Sequence, residues 1–367
     1  MITTNVDMIS HPLVTVLIPL YNQERYFKAC MRSVEAQSYK NLEIIIVNDG
    51  STDSSPQMAK DWASRDSRVK VIDKQNEGLS YARRDGYLAA TGEFITFLDS
   101  DDMLAPDAIE TLLSTILEKD VDLVSGLCDK KLGFIVQHKS DNTYHFPFDQ
   151  VIEQPQLFDD YYIGFFRNDM FPVSVWGKLY RKSVIDKAYQ ETELYSPDIR
   201  FMGEDQYFNM KLFPYLCSMY RINKTVYVYR YGGGTFGFNK RFPELFVSSD
   251  KRLKLLDQYN YSQGYEPLFA EYVACFYHHA AQLIHYKKAD KSSVIDYFKQ
   301  EMNHRELIPR LLKYYSNNET DKRTVRLMLE RDYDGMYQFA REEANSLYTS
   351  LKYRAKKMIV ELLTHLF

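Results

Sequence analysis

The chain is poor in the residues that staple or anchor a protein. Its 367 residues include four cysteines, Cys30, Cys128, Cys217 and Cys275, far apart and without Cys-x-x-Cys spacing. That pattern argues against a disulfide framework or a cysteine zinc site and fits reduced thiols in the cytoplasm. Positive charge is not in excess: 46 Lys and Arg stand against 50 Asp and Glu, for a formal net charge of −4. A polyanion-binding surface is therefore not indicated, and nucleic acid is not expected as a partner. Long apolar runs are missing too. A run such as Leu42 to Val47 falls far short of the ~20 residues that a membrane span needs. Residues 1–12 are polar and show no charged-then-apolar leader, so a soluble or peripheral protein is expected.

What is present is an alternation of strand and helix patterns from residue 13 to about 126. Val14 to Leu20, Leu42 to Val47, Val69 to Ile72, Phe94 to Leu98 and Leu123 to Ser125 read as strands. Between them, helical spacing runs over Glu24 to Gln37, onward to about Ser64, over Leu79 to Ala90 and over Pro106 to Leu117. This order predicts an α/β protein with a mostly parallel sheet and helices on both faces. From about Cys128 to Thr143 the periodicity lapses into a loop or hairpin. Residues 159–216 read as mixed, with short helices around Ser183 and Asp205, and Tyr220 to Tyr229 as two short strands. From about Pro243 the pattern is helical to the end, with breaks near Gly264, Lys291 and Asn317. A boundary near residue 240 is expected, separating a domain over 1–240 from a helical module over 241–367.

The chemistry gathers at the strand ends, where open parallel sheets bind ligands. The first strand runs into Pro19-Leu20-Tyr21-Asn22 and the second into Asn48-Asp49-Gly50-Ser51-Thr52-Asp53. Asn76-Glu77-Gly78 follows the third and Asp99-Ser100-Asp101-Asp102 the fourth. Three carboxylates in four positions repel one another and resist burial unless a cation joins them. A divalent metal holding phosphate oxygens is the usual remedy; the plainer alternative is an acidic turn capping the helix that begins near Pro106. No Gly-x-Gly-x-x-Gly follows the first strand, and no Walker lysine loop is present. Asp49 is placed to accept a hydrogen bond from a base edge or ribose. Arg83 would face phosphates from its helix, or else be a solvated helix-face arginine.

In order and spacing, Val16-Leu17-Ile18-Pro19-Leu20-Tyr21-Asn22, Ile46 to Asp53, Asn76-Glu77-Gly78 with Ala82-Arg83, and Phe97-Leu98-Asp99-Ser100-Asp101-Asp102 closely resemble the family 2 glycosyltransferases of the GT-A fold. A weaker likeness continues to about residue 240 through Trp176-Gly177-Lys178-Leu179-Tyr180-Arg181 and Gly203-Glu204-Asp205. The resemblance implies that Asp49 binds the base of a nucleotide-sugar in a pocket lined by Pro19 and Tyr21, with Asn76 and Arg83 contacting the donor. It makes Asp99 and Asp101 the DxD motif, Asp101 ligating Mn²⁺ or Mg²⁺ and Asp99 serving the ribose or the metal. Asp205 takes the place of the catalytic base, and Trp176, Lys178 and Glu204 fall on the acceptor side. Arg84 stands where the family often has Asn.

Tyr229-Arg230-Tyr231-Gly232-Gly233-Gly234 reads either as a loop whose Arg230 reaches a diphosphate on closure or as a flexible connection. His278 and His279 are expected to be packed or surface histidines. Leu347, Leu351, Met358, Leu362 and Leu366 recur at helical spacing with Lys352, Arg354, Lys356 and Lys357 between them. Such a stripe packs on the helical region, forms a homo-oligomer, or lies on an anionic membrane at the inner face of the plasma membrane. The expected activity is inverting, metal-dependent transfer from a nucleotide-sugar, UDP-linked, to a glycan, lipid-linked or protein-linked sugar acceptor. The alternatives are a sugar-nucleotide nucleotidyltransferase and a non-catalytic binding or scaffold protein on the same fold.

Overall fold

The computed structural model describes residues 11–132, 135–137, 146–165, 173–230, 242–317 and 322–350. Ten strands form one sheet: β1 (Val14–Leu20), β2 (Leu42–Asp49), β3 (Val69–Lys74), β4 (Phe94–Phe97), β5 (Met103–Leu104), β6 (Leu123–Leu132), β7 (Ile135–Gln137), β8 (Val151–Glu153), β9 (Lys178–Arg181) and β10 (Ser218–Arg230). The order is β3-β2-β1-β4-β9-β6-β10-β5, with β7 on β6 and β8 on β10. The helices are α1 (Phe27–Glu35), α2 (Ser55–Arg65), α3 (Leu79–Ala89), α4 (Ala108–Lys119), α5 (Gln156–Tyr161), α6 (Lys182–Glu191), α7 (Glu204–Leu212), α8 (Pro243–Gln258), α9 (Tyr265–Lys287), α10 (Lys291–His304), α11 (Leu307–Asn317), α12 (Arg323–Glu330) and α13 (Tyr333–Thr349).

Strands β3, β2, β1 and β4 run parallel, with Val14 opposite both Leu42 and Phe94. β1, β2 and β4 are largely apolar on both faces, as strands covered by helices on either side must be, whereas the edge strand β3 is mostly polar and only partly buried. Leu17, Ile45, Val47, Ile95 and Phe97 enter one core, and Val16, Ile18, Ile44, Ile46 and Phe94 enter the other. Strand β9 then runs against both β4 and β6, so the second half of the sheet is mixed. One acid interrupts β2. Glu43 is 4% exposed and accepts from Thr15 Oγ1 at 2.7 Å, Thr91 N–H at 2.8 Å and Lys70 Nζ at 2.6 Å. Burial alone would raise its pKa; Lys70 and the Thr donors overcome that and hold it at about 2.

Two elements differ from expectation. The stretch read as two short strands over Tyr220–Tyr229 is the single strand β10, with register shifts against β6 between Arg221 and Thr225 and between Thr225 and Tyr227. The polar Asn223-Lys224 pair is exposed within the irregular stretch of the ladder. The strand expected over Leu123–Ser125 continues to Leu132 and turns back into β7, which realises the hairpin.

From α8 to Thr349 the described residues are mostly helical. Packing does not break at residue 240: one apolar core runs from Phe97 under the sheet through Phe208 on α7 to Phe246, Phe276 and Phe298 on α8, α9 and α10. Arg252 is fully buried there, its terminal nitrogens 2.7 and 3.1 Å from the two carboxylate oxygens of Glu271. A bidentate partner is what makes such a charge tolerable inside a core. His279 stacks on Phe242 at 5.1 Å, and burial lowers its pKa to about 4, so it is a neutral packed histidine. Among the described residues no helix is long and apolar enough to cross a membrane. Leu347 is exposed; Leu351, Met358, Leu362 and Leu366, like Gly232-Gly233-Gly234, lie outside the described residues.

Candidate active site at the strand ends

The carboxyl ends of β1, β2 and β4 open onto a cleft of about 300 Å³. Pro19 and Tyr21 line it from β1, Asp49 from β2, and Asp99 and Asp101 from the turn after β4, with Phe201 and Tyr229 facing them. These five expected site residues therefore share one opening.

Asp49 is 3% exposed. Its two carboxylate oxygens accept from Glu77 N–H at 2.9 Å and Gly78 N–H at 2.8 Å, just before α3 begins. Asn76 Nδ2 donates to the Asp49 carbonyl at 2.9 Å, so Asn76 builds the loop around Asp49. Gly78 is needed for this: its φ is +100°, and a Cβ there would meet Arg200 Cβ at 2.7 Å. Each Asp49 oxygen retains a further acceptor site for a ligand.

In the acidic turn, burial and then repulsion from Asp99 push the Asp101 carboxyl up to about 6. Burial and the Asp101 and Asp99 charges also raise Asp102. The sequence assigns Asp102 no role, yet it is 1% exposed and joins the end of β10 to this turn. It accepts from the Tyr227 hydroxyl at 2.8 Å and from Arg230 N–H at 2.6 Å. Tyr227 in turn accepts from Asp99 N–H at 3.2 Å, and Arg230 Nε donates to the Asp101 carbonyl at 2.8 Å. Arg230 thus sits against the acidic turn. The signal for Asp102 was its place directly after the motif; Tyr227, 125 positions away, offered none.

Arg83 is not a solvated helix-face residue. It is 3% exposed and joins three acids: Nη2 donates to Asp99 Oδ1 at 2.8 Å and Nη1 to Glu204 Oε1 at 3.2 Å, with Asp205 Oδ1 also on Nη1. Burial disfavours the guanidinium's charge, but the three carboxylates outweigh it and raise its pKa. Burial and the neighbouring Asp205 raise Glu204. Glu204 and Asp205 occupy the first turn of α7, where the helix dipole favours acids. Asp205 Oδ2 accepts from Val175 N–H at 3.2 Å, which leaves each oxygen one further lone pair.

Of the remaining expected residues, Trp176 stacks on Tyr227 at 4.6 Å and stands 6.1 Å from Tyr229, one ring away from the cleft. Lys178 is 2% exposed and turns inward to the Ser174 carbonyl, with the Ser174 hydroxyl at 3.3 Å. Burial lowers its pKa to about 7.

The donor set fits a hard divalent cation whose remaining ligands come from a substrate. Among the described residues no group of three or more His, Cys, Asp or Glu forms a closed metal site. Mg²⁺-type sites use one or two carboxylates plus phosphate and water, and Asp101 with Asp99 offers that number.

The glycosyl transferase family 2 profile matches residues 15–188. The chain is 32% identical over 254 residues to "Glycosyltransferase GlyA" of Streptococcus pneumoniae, covering 68% of this chain and 35% of that protein. It is 36% identical over 224 residues to "Putative glycosyltransferase EpsH" of Bacillus subtilis, covering 60% of this chain and 61% of the relative. The chain thus spans about a third of the first relative's length and three fifths of the second's. Its fold is that of S. aureus TarS residues 1–349, with a TM-score of 0.59 at 18% identity over 91% of each chain. That structure has also been solved with UDP and with UDP-GlcNAc. Residues 15–188, which carry the motif positions, therefore belong to glycosyl transferase family 2.

Proposed function

We propose that this protein is an inverting, metal-dependent glycosyltransferase that moves a hexosyl or N-acetylhexosaminyl group from a UDP-sugar to a hydroxyl of a glycan or glycoconjugate. One observation carries this. Asp49 from the end of β2 and Asp99 and Asp101 from the turn after β4 meet in one cleft, and a single guanidinium ties Asp99 to Asp205. The UDP and UDP-GlcNAc complexes of TarS support a UDP-linked donor.

Pro19, Tyr21 and Asp49 would receive the base, with Asn76 shaping the loop around Asp49. Mn²⁺ or Mg²⁺ held by Asp101 and Asp99 would supply Lewis-acid charge for a departing diphosphate, and Arg230 would add a further cation beside the acidic turn. Arg83 serves the donor by orienting Asp99. Asp205 takes the proton of the acceptor hydroxyl as that oxygen bonds to the anomeric carbon and the bond to the diphosphate breaks. Attack from the opposite face inverts the centre, the stereochemical logic that separates inverting from retaining glycosidases. Trp176, backed by the buried Tyr227, would offer an aromatic face with Tyr229 to an acceptor sugar, with Lys178 and Glu204 assigned to the same acceptor side. In this scheme residues 1–240 form the catalytic domain and 241–367 serve acceptor binding, self-association or membrane docking through 347–367.

The test is release of UDP from a panel of UDP-sugars with Mn²⁺, set against GDP-linked donors. Turnover of a UDP-sugar that EDTA abolishes is expected. No turnover on any donor, with no binding of UDP and Mn²⁺, would overturn the proposal.

A further inference from the structure

We infer that Asn209 and Tyr180 are positioning residues for the reaction, fixing the Asp205 carboxylate through the backbone of the 173–176 turn; this rests on Asp205 being the base. Asp205 Oδ2 is held by a main-chain donor, Val175 N–H, at 3.2 Å. Arg83 holds the other oxygen, Oδ1, so the carboxylate's orientation is fixed by that guanidinium together with the turn that presents Val175 N–H.

That turn is fastened by side chains from two elements. Asn209 lies one helical turn beyond Asp205 on α7, so both project toward the same side. Its Nδ2 spends both hydrogens here, donating to the Val173 carbonyl at 2.9 Å and the Ser174 carbonyl at 3.0 Å. The Tyr180 hydroxyl, from β9, lies 3.2 Å from the Val175 carbonyl and 3.1 Å from Asn209 Oδ1, sharing its one proton between them. Lys178 adds its ammonium to the Ser174 carbonyl. Asn209 is 4% exposed, Tyr180 1% and Val175 1%. None of the three lines the donor cleft.

The connections close a circle. The helix that carries Asp205 also carries Asn209; Asn209 fixes the turn, and the turn returns Val175 N–H to Asp205. A polar Asn at a buried helical position is costly unless its amide is fully used, and here it is. Without the carboxamide the Val173 and Ser174 carbonyls lose donors, the turn relaxes, and Val175 N–H no longer fixes the carboxylate. A misplacement of about 1 Å at a reacting group costs as much as a hundredfold in rate.

The experiment is a double-mutant cycle between Asn209→Ala and Asp205→Asn on the full chain. It is read as UDP release by donor hydrolysis and, separately, as affinity for UDP with Mn²⁺. Asn209→Ala is expected to lower kcat by roughly ten- to a hundredfold with UDP affinity within about twofold, and to add no further loss in the Asp205→Asn background, because it acts through that carboxylate. Tyr180→Phe, which removes the hydroxyl and keeps the ring, is expected to lower kcat in the same direction by less; it carries the test if Asn209→Ala fails to fold. Unchanged kcat in both variants, or losses that multiply in the double mutant, would overturn the positioning role and leave Asp205 as base. Normal turnover in Asp205→Asn alone would overturn the base itself.

Discussion

Arg83 Nη2 lies 2.8 Å from Asp99 Oδ1, and the other arm of the same guanidinium carries Glu204 and Asp205. One buried cation therefore links an acid proposed to face the metal to the acid proposed as base. Replacing Arg83 with Met would leave three carboxylates facing one another without a counter-charge. Removing one partner of a buried ion cluster costs about 3–5 kcal/mol, so Arg83→Met is expected to unfold at markedly lower urea concentration. Arg83→Lys keeps the charge but offers no planar fork, and is expected to stay folded while turnover falls at least tenfold. A Met variant as stable as the wild type would show that the cluster contributes nothing to folding.

This cluster also marks where the sequence stops being legible. Strands β1 and β2 are readable because they are apolar on both faces, and the acidic turn because three carboxylates cannot share a strand end without cause. The burial of Arg83 is not readable, since Glu204 and Asp205 are 121 and 122 positions away. On helical spacing alone an arginine beside Arg84 looks solvated. Asp49 was legible as a strand-end acid, but not as the acceptor that orders Glu77 and Gly78, because backbone N–H groups leave no trace in residue type. The division of Tyr220–Tyr229 into two strands fails for the opposite reason: an exposed polar pair, Asn223-Lys224, fits an irregular ladder as readily as a break between strands.

The acidic turn predicts a pH-dependent metal. Asp101 titrates near 6 because burial and Asp99 oppose its charge, and a ligating carboxylate must first lose its proton. Affinity for Mn²⁺ in the presence of UDP is expected to be flat above pH 7 and to fall about tenfold per unit below 6, as calorimetry would record. Asp101→Ala should lose both metal binding and transfer, and Asp99→Asn should lose somewhat less. Full activity of the wild type in excess EDTA would remove Asp101 from the mechanism.

Asp205 is hydrogen-bonded to Arg83 and Val175 and to none of Pro19, Tyr21 and Asp49, the three residues proposed to receive the nucleotide base, so its role should separate from donor binding. Asp205→Asn is expected to lower kcat by roughly a hundredfold or more while UDP affinity stays near wild type. If UDP affinity falls instead, Asp205 belongs to the donor pocket. If turnover persists, Glu204, on the same guanidinium, is the next base to test.

Glu43 lies at the amino end of β2, opposite the end that lines the cleft, and gives a stability prediction independent of activity. Its folded pKa is about 2 against an ordinary 4.5, so the folded state holds the carboxylate more firmly than the unfolded state does. The sign follows: its contribution is fully present above the unfolded value and is lost as pH falls from about 4.5 toward 2. A shift of this size corresponds to roughly 3 kcal/mol at neutral pH. Glu43→Gln removes the charge that Lys70, Thr15 and Thr91 hold, leaving donors without their acceptor. Urea unfolding at pH 7 should show the variant less stable by about 2–3 kcal/mol, and the gap to wild type should narrow steadily between pH 5 and pH 3. A gap that stays constant across that range would mean that shape and packing at Glu43, not its charge, hold β2 to the Thr91 loop.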